Sequence, residues 1–181
     1  MSRQSFRKDV YNRHAYIESF RHETLRLANH DYRGPGVYHV ITCAQGIGGR
    51  GPLFEHPVLR KLMQTHWLDL PDRYATLQLD EFVIMPDHLH FLIWPNKWPD
   101  RAENAPHLGE IMRTCKSSVS VDWLAYVKEN HPDWSAKIWQ GDYFERVVRI
   151  DQLERTRRYL RDNPDIPDKL YKHMGWTKNR P

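Results

Sequence analysis

Cysteine is nearly absent: Cys43 and Cys115 are the only two in 181 residues, and no Cys-x-x-Cys pair occurs. That excludes a disulfide framework and a zinc ribbon and points to a reducing compartment. No apolar run approaches the roughly 20 residues that span a bilayer. The polar, basic start Met1-Ser-Arg-Gln-Ser-Phe-Arg-Lys lacks the apolar stretch of a secretory signal. The expectation is a soluble cytoplasmic protein with no membrane partner. The glycine-rich stretch Gln45-Gly-Ile-Gly-Gly-Arg-Gly51 lacks the Lys-Ser/Thr ending of a P-loop and has no helix starting at the right place, so it reads as a mobile loop.

What is present is a globular, mildly basic composition: 40% apolar, 28% charged, formal net charge +4 and a pI near 9.1. The charge favours a polyanionic partner, and the seven tryptophans and nine tyrosines leave some aromatic surface for stacking or packing. One domain is expected at this length. The reading divides the chain into a basic leader over residues 1–33, a domain over 34–165 that begins at the Gly34-Pro35-Gly36 breaker, and a tail over 166–181.

Val37-Tyr-His-Val-Ile-Thr-Cys-Ala44 alternates β-branched and aromatic residues and reads as a first strand. Val58, Leu59, Leu62, Met63 and Trp67 follow helical spacing, closed by Leu70-Pro71-Asp72. Residues 74–85 and 88–94 are two β-rich runs joined at Pro86-Asp87, hence a hairpin, with Asp80 and Glu81 interrupting the first run as a bulge would. Leu108, Ile111, Met112, Cys115, Val119, Trp123 and Val127 mark the longest helix. A last strand lies within residues 138–150, and Asp151 would cap a final helix that stops at Pro164. This order predicts a ferredoxin-like α+β sandwich: an antiparallel sheet with helices on one face, the other face left for a ligand, and a C-terminal helix that carries the candidate nucleophile.

The chemistry concentrates in Phe82-Val-Ile-Met-Pro-Asp-His-Leu-His-Phe-Leu-Ile-Trp94. On a strand, His88 and His90 leave the same face, with Leu92, while Leu89, Phe91 and Ile93 turn to the helices. On the last helix Tyr159 and Asn163 stand at i and i+4, in one stripe with Gln152 and Thr156, next to the apolar stripe of Leu153 and Leu160. Two imidazoles and an amide oxygen make a partial shell for a divalent cation, with positions left for water and a phosphate oxygen. Nitrogen ligands accept Mn readily and Mg prefers oxygen, so the metal stays open between the two. A tyrosine is a poor nucleophile at its ordinary pKa of about 10 and needs a nearby base or cation, either the metal or an arginine such as Arg155 or Arg158.

Taken singly, each feature has an ordinary explanation. A His-x-His pair is more often hydrogen-bonded or exposed, a helical tyrosine more often lines a core, Asn before Pro first of all stops a helix, and arginines on a helix usually face solvent. Tyr126, Tyr143 and Tyr171 are rival nucleophiles on chemistry alone.

Met85-Pro-Asp-His-Leu-His90 resembles the HUH motif of single-tyrosine transposases. Gly36-Val-Tyr-His-Val-Ile-Thr42, Ile138-Trp-Gln-Gly-Asp-Tyr-Phe-Glu-Arg-Val-Val-Arg149 and Tyr159-Leu-Arg-Asp-Asn-Pro164 resemble further segments of its REP-associated branch, in the same order. The resemblance covers roughly residues 25–165. It implies a metal-dependent single-stranded DNA endonuclease or transposase of the bacterial cytoplasm, acting near the nucleoid on REP-like palindromic hairpins. Tyr159 would be the nucleophile that takes the 5′-phosphate, His88, His90 and Asn163 the ligands of Mg or Mn, and Arg146, Arg149, Arg155, Arg158 and Trp139 the DNA contacts. Monomer and homodimer both occur among such proteins. The glycine-rich loop and the tail after Pro164 depart from the family pattern. Two alternatives are a catalytically silent hairpin-binding regulator on the same fold and an HUH replication-initiator or relaxase nuclease. A structural metal protein using the histidine pair with Cys115 would lack a fourth ligand at sensible spacing.

Overall fold

In the computed structural model the described residues are 29–45, 53–96 and 102–162. The leader up to residue 28, most of the glycine-rich loop, Asn163 and the tail lie outside them. Residues 31–162 fall within one compact unit. Its elements run β1 (Val37–Ala44), α1 (Pro57–Leu68), a single turn α2 (Leu70–Arg73), β2 (Gln78–Ile84), β3 (His88–Trp94), α3 (Leu108–Asn130), β4 (Trp139–Val148) and α4 (Leu153–Asp162). The strands form one antiparallel sheet in the order β2-β3-β1-β4, the ferredoxin-like α+β arrangement.

Pleating divides the sheet. Tyr38, Val40, Leu89, Phe91 and Ile93 point to one face, where they join Leu59, Met63, Trp67, Ile111, Val119 and Trp123 of the helices in the main core. Cys115 is buried in this core, on the side away from His88, which rules it out as a partner of the histidine pair. α1 begins with proline in its first turn, where a missing N–H costs nothing, and α3 begins at His107, whose Nδ1 accepts from Gly109 N at 3.0 Å. No described helix is long and apolar enough to cross a membrane.

The second face, expected to be left for a ligand, carries the C-terminal helix. α4 lies across it: Leu153 and Leu160 are buried with Val37, Leu92, Trp94 and Val148, and Val83 packs against them. The docking is polar as well. Asp80 and Glu81 sit where the β2–β3 register shifts, and Arg157 grips Asp80 with Nε at 2.8 Å and Nη2 at 2.6 Å while Arg161 Nε reaches Glu81 at 2.8 Å. Trp94 Nε1 also donates to Asp80, at 3.0 Å. Burial alone would push the Asp80 carboxyl up, but the hydrogen bonds and charge of Arg157, with Trp94, outweigh it and hold the group below its usual range. Asp151 does not cap α4. It takes the Arg149 guanidinium at 3.0 and 3.2 Å, and a 3-10 turn, Ile150–Gln152, leads into the helix.

Candidate active site

The hairpin turn that starts the site is pinned on three sides. Met85 N donates to His88 O at 2.9 Å, Ala44 N to Asp87 O at 2.7 Å, and Phe54 N to Pro86 O at 3.0 Å. Arg60 Nη1 bonds the Phe54 and Ile84 carbonyls, both at 3.3 Å. Asp87 and His88 therefore leave a fixed corner. Cross-strand pairing sets His90 opposite Ile41, and His39 opposite both Leu92 and Arg146, so His39, His88, His90 and Arg146 share the α4 face.

Four side chains make a chain of short contacts there. Asp87 Oδ1 lies 2.7 Å from His88 Nδ1, His88 Nε2 lies 3.0 Å from His90 Nε2, and His90 Nδ1 lies 3.0 Å from His39 Nε2. The three histidines are buried at 4%, 0% and 6% exposure for His88, His90 and His39. Burial, with the charges of His88 and His39, drives His90 down to about 2, and burial, with Arg146, drives His39 down to about 4. Both are neutral imidazoles at neutral pH, as a metal ligand or hydrogen-bond acceptor must be.

Two nitrogens 3.0 Å apart match adjacent ligands about 2.1 Å from one cation. Each ring also has its Nδ1 engaged, His88 by a carboxylate and His90 by His39. Among the described residues no group of three or more His, Cys, Asp or Glu side chains is placed to hold a metal. The described residues thus bring two imidazole nitrogens together, and Asn163 lies outside them.

Among the described residues Tyr159 is the tyrosine brought to this pair; the rival Tyr171 lies outside them. Its ring stands edge-on to His90, centroids 6.4 Å apart at 89°, and it is 45% exposed. Tyr126 instead stacks on Trp123, its hydroxyl 3.4 Å from His131 Nε2, and Tyr143 pairs with Thr42 and packs against the main core, both on the opposite face. Burial raises the Tyr159 hydroxyl above its usual value, and the charge of Arg146 works against that rise. The arginine that acts on the tyrosine is on β4, not Arg155 or Arg158, which are exposed on α4 without an ion pair among the described residues.

Other expected residues fall elsewhere. Gln152 is exposed, and Thr156 is buried in the docking stripe, bonding back to Gln152 O at 3.0 Å. Trp139 is half-buried and packs against the main core. Its Nε1 donates to Lys116 O at 3.0 Å and Ser120 Oγ at 2.9 Å, its edge meets Phe54, and Lys116 lies over the ring. Arg149 is at the surface, paired to Asp151. His39, Asp87 and Arg157 were not picked out by sequence reasoning. The signal for His39 is its parity with Ile41 and Cys43 on β1, which becomes readable only once the β1–β3 register is known.

The fold and site define a class first: a ferredoxin-like sandwich whose last helix sets a tyrosine against a buried histidine pair. Comparison with protein-family models returns no match. A Haemophilus influenzae protein described only as uncharacterized is 26% identical over 175 residues, covering 82% of this chain and 92% of its own. Among solved structures, a REP-associated tyrosine transposase bound to a REP hairpin superposes with a TM-score of 0.53 at 16% identity, covering 84% of this chain and 76% of that one. The likeness establishes a shared fold.

Proposed function

We propose that the protein is a metal-dependent, single-strand DNA endonuclease of the transposase type that cuts and rejoins hairpin-associated DNA through a 5′-phosphotyrosine. The observation that carries this reading is the juxtaposition of Tyr159 with two histidine nitrogens 3.0 Å apart on one chain. The solved relative of the same fold is bound to a REP hairpin. His88 and His90 would hold Mg or Mn through Nε2, with the Asn163 amide oxygen as third ligand. When bound, the ion supplies Lewis-acid withdrawal of charge from the scissile phosphate.

The protein's own groups do the rest. Tyr159 Oη attacks the phosphorus, its proton is lost to solvent, and the P–O3′ bond breaks to leave a 3′-hydroxyl that takes up a proton. The ester energy is kept in the phosphotyrosine, so rejoining needs no nucleotide cofactor. Arg146 favours the tyrosinate and the developing phosphate charge. The exposed Arg155 and Arg158, with Arg149 at the rim, offer cations to the DNA backbone. Tyr159 and the histidine pair adjoin within one chain.

The test is a denaturing-gel assay with labelled single-stranded hairpin oligonucleotides in Mg, Mn or chelator, wild type against Tyr159→Phe. A metal-dependent covalent adduct, lost in Tyr159→Phe, is the expected result. Tight hairpin binding without an adduct under any metal would make the protein a hairpin-binding module instead.

A further inference from the structure

His39 has no part in the scheme above, yet it is 6% exposed in the centre of the sheet, with Nε2 3.0 Å from His90 Nδ1 and the two rings nearly parallel at 21°. A buried imidazole needs a reason. His90 needs a partner that can both give and accept. For His90 Nε2 to present a lone pair beside His88 Nε2, its proton must sit on Nδ1, and His39 Nε2 must then accept it. Without a cation, His88 can keep its proton on Nδ1 toward Asp87, His90 then donates from Nε2 to His88, and its bare Nδ1 must accept from His39 Nε2–H. Both states satisfy every contact in the chain. Passing between them moves one proton from His39 Nε2 to His90 Nδ1, releases one from His90 Nε2 to solvent, and adds one to His39 Nδ1. The number of protons held by the cluster is unchanged.

We infer that His39 is a positioning residue: it holds the His90 ring by Nδ1 in both tautomers, so that Nε2 stays aimed at the point shared with His88. This rests on the metal-binding reading of His88 and His90. Glutamine can play either part, because its amide places an oxygen or an NH2 group near the position of imidazole Nε2, whereas leucine can play neither.

The experiment is Mn titration of the purified full-length protein, followed by electron paramagnetic resonance, for wild type, His39→Gln, His39→Leu and His88→Ala, with unfolding midpoints measured in chelator. His39→Leu is expected to weaken Mn binding about 10–100-fold, the range for loss of a group that orients a ligand, while His39→Gln stays within about 3-fold of wild type. A purely structural role would lower the midpoints without the glutamine rescue. Wild-type Mn affinity in His39→Leu, or equal losses in the glutamine and leucine variants, overturns the inference while leaving the site in place if His88→Ala loses binding. No Mn binding by the wild type, or none that depends on His88, overturns the metal reading and the role of His39 with it.

Discussion

The two faces of one sheet do different work, although neighbouring residues of the same strands supply them. The helix-covered face is apolar: Val40, Phe91 and Ile93 meet Trp123, Ile111 and Leu59 in the main cluster. The α4 face holds a small cluster of six buried residues beside three buried histidines and the Asp80 carboxylate. The first face is built from transfer free energy, which is indifferent to side-chain direction. The second is built from directional contacts of 2.6–3.0 Å, which cost stability if one member is removed and yield a defined arrangement if all are present. Alternation along β3 keeps them apart, so chemistry on one side need not disturb packing on the other.

The comparison is broken most sharply at Tyr159. Tyr159→Phe should remove the covalent adduct entirely while leaving hairpin binding and the urea midpoint at wild-type values, and an adduct of normal yield would discard the tyrosine mechanism. Phe91→Ala is its opposite. It should cost about 3–5 kcal/mol in urea unfolding with little change in where the surviving fold cuts.

Arg157→Ala tests whether α4 is fastened as described. It strands the Asp80 carboxylate, 6% exposed, and should cost about 2 kcal/mol, less than a fully buried pair because Arg157 itself is 28% exposed. Amide exchange should speed up in α4 and not in β1 or β3, and adduct formation should fall with it. Uniform exchange across the sheet would contradict a local latch.

Acid should act on the second face. His39 and His90 are depressed from an ordinary value of 6.5 to about 4 and about 2, so the unfolded chain binds their protons more readily. Their contribution is complete above about pH 6.5 and is lost as pH falls toward 4 for His39 and further down for His90. Unfolding midpoints measured in chelator across this window should slope accordingly, and His39→Gln should remove one group's share. The smallest effect belongs to Arg146→Gln. It should lower the slope of log affinity against log salt by about 0.7 on single-stranded DNA, with a larger loss of adduct than of binding.

Much of the fold was legible because its signals are local. Alternation marked β1, helical spacing marked α1 and α3, and Pro86-Asp87 marked the hairpin, while the interruption at Asp80 and Glu81 is a bulge in the structure. What could not be read was the packing of the last helix. Its apolar stripe announced that it docks, but not that it closes the face expected to be open, because that depends on Arg157 and Arg161 finding carboxylates over 70 residues away. For the same reason Thr156 was read into the polar stripe when it belongs to the docking one. His88, His90 and Tyr159 were picked out by spacing within short segments. His39 was not, since a lone histidine in an apolar strand carries no sign of its cross-strand neighbour.

The bulge on β2 has a further consequence for solubility. β2 is an edge strand, and a regular edge offers unpaired N–H and C=O groups to any other chain. Two adjacent carboxylates at a register break interrupt that template, and arginines of α4 neutralise both. The clasp that holds α4 thereby also guards the sheet's margin, so a chain whose α4 has come loose would tend toward self-association through β2.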